Sequence, residues 1–522
     1  MVVELSAVRV LAPRFGDSVP VWTNVIGVIL LALAVGAFVG GRVADRGGAR
    51  LLTPLLLFAA TGITAATPWL VPRIGDWILP ADLTLDRALP VLVSGSLGTT
   101  LCVFAPPVLC LGAVSPMLIQ QVALRQGAQV GSVVGTLYAA GTIGSLLGTF
   151  AATHLLVPGL GLRGTFGVAA ACLLAAALLA TLLARQIART PVSKLALGLA
   201  VLPFVTLGLG EPDPHWLGDG KLVELVDAAY QRLWVVERDE PYKGGQRKAR
   251  VLAINEGLDS FHSVRIEGVS GTGGRYYDAF GLLAACLVQE GEQERRVLSL
   301  GCAAGSIVRV LDALMPKTTS FVGVDIDPAV LELGRRYFDM PEDGARHRFV
   351  GGLDARVYVD RVDRGAPSFD LVCVDTYRNQ IYLPLHVTSV EFFEALEGRL
   401  TRDGLVALNV GDVPGGGPVL EAVAGTLATV FDVCESYAVP RSRNFMVVAY
   451  NGAALRVPRS LRQATRPDSC PESFWTRAVD DLAWKRHAPA DPTQLLTDDR
   501  STLEGLHERI YARLPASGTR RP

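Results

Sequence analysis

Arg295 to Gly305 (RRVLSLGCAAG) runs from a short apolar strand into a glycine turn, and the pattern from Ser306 to Leu314 that follows it is helical. Phe321 to Asp327 (FVGVDID) is a second buried strand ending in acids, with Asp325 standing 24 residues after Gly301. Strand, glycine turn, helix and second strand in this order form the nucleotide-binding half of a doubly wound α/β sheet. The turn lets the backbone at Gly301, Ala303 and Gly305 approach a ligand, and Asp325 is placed to accept both hydroxyls of a ribose.

Downstream the same grammar continues. Arg348 to Gly352, Phe369 to Asp375 (FDLVCVD), Gly404 to Val410, Asp432 to Val439 and Phe445 to Tyr450 supply five more strands, for a Rossmann-like, seven-stranded, methyltransferase-type sheet. Asp354 follows the third strand, where the amino group of adenine would be recognised, and Asp375 ends the fourth, at the carboxyl edge where ligands sit. Upstream, alternation in Gln231 to Glu237 and Arg250 to Ile254 predicts the strands of a small β domain. The expected division is a transmembrane helical domain over 1–212, the small β domain over 220–275, the Rossmann-like adenosyl-cofactor domain over 276–455 and an extension over 456–522.

The first two-fifths of the 522 residues has another texture. Val21 to Gly40, Leu51 to Leu70, Val91 to Gln120, Gly131 to Leu156 and Leu162 to Ala184 are apolar runs, each near or above the roughly 20 residues that cross a bilayer as a helix. Mean hydropathy is +0.34, and the net charge of −1 gives no pull towards nucleic acid. Arg42, Arg46 and Arg50, then Arg125, then Arg185, Arg189 and Lys194 fall on one side of the runs; Arg73, Arg87 and Arg163, with Arg9 and Arg14, fall on the other. The bias puts the Arg42 to Arg50 loop in the cytoplasm. Met1 to Phe15 reads as the second half of a membrane helix, and Met1 to Gly16 lacks the basic start of a signal peptide. Leu195 to Gly210, apolar for 16 residues but short and holding Pro203, reads as tilted or re-entrant, or else is offset by an extra crossing elsewhere, since its crossing alone would put the second half outside the cell. Gly135, Gly141, Gly144, Ser145 and Gly148 line one helix and predict close packing against a neighbour. Ionisable groups in the runs are few, His154 chief among them, so coupled transport is poorly supported. The eight cysteines form no C-x-x-C pair and read as core thiols, with no metal site.

Order and spacing carry a resemblance over nearly the whole chain. The motifs are Glu4 to Gly16, Val21-Trp22, Gly40 to Arg46 (GGRVADR), Gly135 to Tyr138, Tyr230-Gln231, Tyr276-Tyr277-Asp278, the Gly301 turn, Asp325, Asp354-Ala355, Asp375-Thr376-Tyr377, Leu383 to Thr388 with Glu391-Phe392-Phe393, and Leu496 to Asp499 with Glu504. Together they resemble the spermidine synthases, specifically the membrane-fused relatives with a major-facilitator-like first half. The resemblance implies a small β domain over the nucleotide-binding domain, Gln231 and Tyr276 lining the cleft, and Asp375 as the base that takes a proton from an attacking amine. It implies S-adenosylmethionine or its decarboxylated form as co-substrate, and Tyr377 and Arg378 beside the acceptor.

Two positions depart from that family. Ala304 stands where an aspartate holds the donor's amine, and Arg378 where a second acid grips the polyamine, so putrescine is disfavoured as acceptor and the full cofactor is not. Three functions follow: an aminopropyl-type transferase, a membrane S-adenosylmethionine-dependent methyltransferase, or a non-catalytic nucleoside-binding sensor or transport-associated protein. His386 reads as a structural histidine bonding its loop backbone. His262 and Ser263 read as surface residues, and Lys243 to Arg250 as a solvated hairpin loop near anionic lipid. The expected setting is a multi-pass protein of the cell membrane with the catalytic domain in the cytoplasm. Expected partners are the lipid bilayer, a small-molecule amine or membrane-derived acceptor, and a second copy in a homodimer.

Overall fold

The structure, a computed structural model, describes residues 1–15, 19–79, 85–126, 130–184, 217, 219–228, 230–242, 244–255, 261–269, 271–287, 294–361, 368–378, 382–452, 466, 472, 475–476, 485–500, 502–503 and 505–507. It divides into two compact units, Met1–Trp216 and Leu217–Pro522. The Leu195 to Gly210 segment, which bears on sidedness, lies outside the described residues.

The first unit is helical: α1 (Val2–Phe15), α2 (Val19–Asp45), α3 (Ala49–Ile78), α4 (Leu85–Val103), α5 (Ala105–Gln126), α6 (Val130–Ala151), a π-helical turn (Ala152–Leu156) and α7 (Val157–Ala184). Among the described residues, five stretches are long and apolar enough to cross a membrane: Val19–Asp45, Ala49–Ile78, Ala105–Val122, Gly131–Leu156 and Gly159–Leu183. Leu30, Leu31 and Phe38 of α2 and Leu146, Leu147 and Phe150 of α6 are all more than half exposed, a surface suited to lipid tails.

Three expectations for this unit are corrected. The run Val91 to Gln120 is two helices broken at Phe104. Pro106 and Pro107 have no N–H to offer the carbonyls of Cys102 and Val103, so the ladder is interrupted there. The glycine stripe of α6 packs only at its C-terminal end among the described residues: nothing lies within 4 Å of where a Cβ would stand at Gly135, Gly141 or Gly144, whereas one at Gly148 would lie 3.2 Å from Val2 Cγ2 of α1. Close approach occurs instead between α2 and α5. A Cβ at Gly36 would overlap the Leu109 carbonyl, one at Gly40 would lie 2.5 Å from Ala113 Cα, and one at Gly112 would lie 2.6 Å from the Leu33 carbonyl oxygen. Finally, Arg14 is not a loop cation. It is 4% exposed, and its Nε donates to Asp76 Oδ1 at 2.9 Å. Gly75 makes room for its stem, because a Cβ there would lie 2.9 Å from Arg14 Cδ.

Among the described residues, the second unit holds two sheets. β1 (Lys221–Asp227), β2 (Arg232–Tyr242), β3 (Gly245–Ile254) and β4 (Ser263–Ile266) form an antiparallel sheet in that order. Arg247 to Arg250 belong to strand β3 rather than to a loop, because the register sets Arg250 opposite Glu237 and Lys248 opposite Asp239; Lys248 Nζ lies 3.0 Å from Asp239. Opposite charges across a ladder favour the strand.

The larger sheet begins after α8 (Tyr276–Leu287). It comprises β5 (Arg296–Leu300), α9 (Ser306–Leu314), β6 (Ser320–Asp325), α10 (Pro328–Tyr337), β7 (His347–Gly351), α11 (Ala355–Arg361), β8 (Phe369–Val374), α12 (Val390–Glu397), β9 (Leu400–Gly411), α13 (Pro418–Leu427), β10 (Val433–Ala438), β11 (Asn444–Tyr450) and β12 (Lys485–Arg486). Strand order is β12-β10-β11-β9-β8-β5-β6-β7. β5 to β9 are parallel, and β11 runs antiparallel to β9 and β10. These are the seven strands expected, with β12 from the C-terminal region added at the edge. Burial of both faces explains why the inner strands read as continuous apolar runs. β5 leads to β6 on one side and has β8 on the other, so the order reverses at its carboxyl end, where doubly wound sheets bind ligands.

The α2–α5 approach is testable. Gly40→Val is expected to lower stability by roughly 1–3 kcal/mol through overpacking, read as an earlier thermal transition in detergent. Gly144→Val, with open space around it, is expected to leave the transition unchanged.

Candidate functional site

Leu300 is in register with Val324 on one side and Val374 on the other. The residues next after these three, Gly301, Asp325 and Asp375, therefore stand at one level at the carboxyl edge of the sheet. Gly301 has φ +73°, and a Cβ there would strike the Asp375 carbonyl and lie 3.0 Å from Thr376 Cα. Only glycine meets both conditions without strain. Ala303 takes φ +44°, a left-handed conformation that costs a non-glycine residue about 1 kcal/mol. Its N–H donates to Asp325 Oδ2 at 2.8 Å, and that of Asp327 donates to Oδ1 at 3.0 Å. A carboxylate offers about four lone-pair sites, so Asp325 keeps capacity for two ribose hydroxyls. Burial pushes its carboxyl up to about 6; the carboxylates of Asp327 and Asp375 add to this, while the two N–H donors oppose it.

Asp375 is clamped on both oxygens. Tyr276, the first residue of α8, donates its hydroxyl to Oδ2 at 2.8 Å, and Asn409 Nδ2 donates to Oδ1 at 2.9 Å. Asn409 is 1% exposed and is itself held by Asn444, whose Nδ2 donates to its Oδ1 at 2.8 Å. Burial raises Asp375 to about 6, with both hydrogen bonds pulling the other way. Burial and the facing carboxylate hold the Tyr276 phenol well above its ordinary range, so it stays a donor. Asn409 was missed from sequence. Its signal is one polar residue inside the buried run GLVALNV.

Gln231 hydrogen-bonds the side chain of Asp327, which puts it beside the acids at the carboxyl end of β6. Ser263 is fully buried, correcting its assignment to the surface: its Oγ accepts the N–H of Ala304 at 3.1 Å and so ties β4 to the glycine turn. Ala304 is likewise fully buried. Asp354 caps α11, its Oδ1 accepting N–H groups of Arg356 at 2.8 Å and Val357 at 3.2 Å. The His386 ring, expected to bond its own loop backbone, instead sets Nε2 2.9 Å from Asp354 Oδ2 among the described residues.

The substrate candidates sit differently. Tyr377 turns its hydroxyl to β9, where it accepts the Gly411 N–H at 2.5 Å. Arg378 is exposed, and its backbone bridges to Tyr382.

The second unit is similar to polyamine aminopropyltransferases. A "Probable polyamine aminopropyl transferase" of Bifidobacterium longum is 28% identical over 253 residues, 45% of this chain and 54% of that one. Polyamine aminopropyltransferases of Chromobacterium violaceum (30% over 118 residues; 23% of this chain, 43% of that one) and Pyrobaculum islandicum (34% over 125 residues; 23% and 42%) also match. The chain thus spans about half the length of the curated relatives it matches. Among solved structures, a probable spermidine synthase from Corynebacterium glutamicum aligns at 19% identity and TM-score 0.37, covering 52% of this chain and 98% of that one. A spermidine synthase in complex with the transition-state analogue AdoDATO aligns at 16% and 0.38, covering 50% and 85%. No family model matches the chain.

The raised carboxyl of Asp375 has a stability consequence. Its folded value lies above the ordinary aspartate value of 3.8, so the folded state binds the proton more tightly and stability falls as pH rises from about 4 to about 6. Asp375→Asn removes that dependence. The variant is expected to unfold a few degrees higher than wild type at neutral pH, with the difference shrinking as pH falls through about 6. Differential scanning fluorimetry across that range measures it.

Proposed function

We propose that the second unit is a transferase that moves an alkyl group of the aminopropyl type from an adenosyl sulfonium to an amine, and that the helices of the first unit anchor it to a lipid bilayer. The observation that carries this reading is the Asp375 carboxylate, gripped by Tyr276 and Asn409 at the same sheet edge as Asp325 and the Gly301 turn. In that reading Asp325 holds the ribose, Asp354 reads adenine, and Gln231 and the turn residues Gly301, Ala303 and Gly305 complete the cofactor side. The co-substrate is S-adenosylmethionine or its decarboxylated form.

The chemistry asks little beyond alignment and a base. An amine must be neutral to attack, and a carboxyl with a pKa near 6 is largely ionised at neutral pH yet basic enough to receive its proton. The amine nitrogen forms a bond to the carbon on sulfur, the carbon–sulfur bond breaks, and the sulfonium departs as a neutral thioether. Tyr276 and Asn409 fix both Asp375 oxygens, so its free lone pairs have set directions, and fixed geometry is where most of such a rate gain arises.

A second reading, methyl transfer from S-adenosylmethionine at the same site, is favoured by Ala304. An aspartate there would attract the donor's amine and repel the carboxylate that only S-adenosylmethionine carries; a buried methyl does neither. An Arg378 guanidinium turned towards the acceptor, about 4 Å from an ammonium, would oppose diamine binding by roughly 4 kcal/mol at an effective dielectric near 20. The setting proposed is a multi-pass membrane protein with the transferase unit on the cytoplasmic side, from the Arg42, Arg46 and Arg50 bias. The proposed acceptor is an amine, small or membrane-derived, and a homodimer is the proposed assembly.

Two measurements test this. Asp325→Ala is expected to weaken binding of an adenosyl ligand by roughly 1.5–3 kcal/mol, the range for hydrogen bonds to a charged acceptor; calorimetry that finds equal affinities removes Asp325 from the site. In a competition titration, S-adenosylmethionine is expected to bind at least as tightly as the decarboxylated form. A preference for the latter of tenfold or more, about 1.4 kcal/mol, would show that another group replaces the missing acid.

A further inference from the structure

The two oxygens of Asp354 have separate roles. Oδ1 accepts the backbone N–H groups of Arg356 and Val357, so a ligand amine is left with Oδ2, 2.9 Å from His386 Nε2. An ionised carboxylate only accepts, which makes Nε2–H the donor of this pair. The imidazole is no core residue, being 52% exposed. Its position is nevertheless fixed by three segments. Arg356 Nη1 reaches the His386 carbonyl at 3.3 Å and Ser389 Oγ at 3.2 Å, and its Nη2 reaches Asp498 Oδ2 at 3.2 Å. Ser389 Oγ donates to Asp498 Oδ1 at 2.6 Å, and Glu391 Oε2 accepts the Asp498 N–H at 3.1 Å.

We propose that His386 is a specificity-determining residue of the adenosyl site: by donating Nε2–H to Asp354 Oδ2 it keeps that carboxylate an acceptor, which takes an exocyclic amine and rejects a ring carbonyl in the same place. The inference rests on the adenosyl reading above. A carboxylate oxygen has room for two donors, His386 and a 6-amino group. A 6-oxo purine would set its carbonyl oxygen against the carboxylate and be rejected, unless Asp354 were protonated and able to donate.

Protonation is what the pair opposes. Burial works to raise the Asp354 carboxyl, but His386 and the two backbone N–H groups outweigh it and hold the group below its ordinary value. Asp325 and Asp375 in the same site are instead pushed up to about 6. The charged groups facing the pair are Arg356 and its partner Asp360 on α11, at 2.7 Å, Asp498 and Glu391 behind the loop, and Asp325, whose carbonyl accepts the Leu353 N–H. With a lowered folded value, acceptor character persists to acid pH; without the His386 donor one of the groups that hold the carboxyl down is gone, and that character is lost at a higher pH than in the wild type.

The test is calorimetry on the full-length chain in detergent, with 5′-methylthioadenosine and its 6-oxo counterpart 5′-methylthioinosine, at about pH 7.5 and about pH 5. The wild type is expected to prefer the amino nucleoside by roughly a hundredfold at both. His386→Leu is expected to cut that preference at least about tenfold, more at the lower pH, whereas His386→Gln, which keeps an N–H donor, retains most of it. Wild-type preference in His386→Leu at both pH values, or equal losses in the Leu and Gln variants, overturns the proposal alone. A wild type that binds neither nucleoside overturns the adenosyl reading with it, so the two failures are told apart.

Discussion

Three carboxyl groups, Asp325, Asp327 and Asp375, stand at one edge of the sheet, all raised by burial. Bringing like charges into a poorly solvated corner is unfavourable, and it persists because each is locked by a donor: the turn amide of Ala303, the helix amide of Ala329, the phenol of Tyr276 and the amide of Asn409. The rest of the second unit serves this arrangement. Gly301 lets two strand ends close on each other, and Ser263 pins the small sheet to the turn. Asn444 supports Asn409 from the neighbouring antiparallel strand. A positively charged ligand is the natural complement of such a corner, in keeping with the sulfonium proposed for it.

The C-terminal region is part of this construction. β12 extends the sheet beside β10, with Glu435 paired to Arg486 in register. Leu496 and Leu503 are fully buried. Asp498 links Arg356 to Ser389, so the helix capped by Asp354 and the loop bearing His386 are held from outside the nucleotide-binding strands.

In the first unit polar groups are managed differently. Thr53, Thr61 and Thr100 return their hydroxyls to the carbonyl four residues back, which satisfies them inside the helix. Asn24 reaches across to α4. The Arg14–Asp76 pair, buried on its Arg14 side, joins the ends of α1 and α3, and its two-point geometry suits a guanidinium to a carboxylate.

The amino-acid sequence by itself determined the split into apolar helices and an α/β half, the strands of a doubly wound sheet, and the acids at strand ends. These follow from short-range regularities: run length against bilayer thickness, a glycine turn between strand and helix, and buried parallel strands reading as unbroken apolar runs. Only the tertiary structure decided what depends on neighbours distant in the chain. Asn409 and Asp375 are 34 residues apart, Tyr276 and Asp375 are 99 apart, and no local pattern announces such pairs. The same holds for Ser263, whose burial is set by a turn 41 residues on, and for His386, which pairs with a carboxylate 32 residues back. The α6 glycines show the converse. Small residues permit close packing, but which helix faces them is fixed by the bundle, and here the bundle brings Gly36, Gly40 and Gly112 to the seam instead.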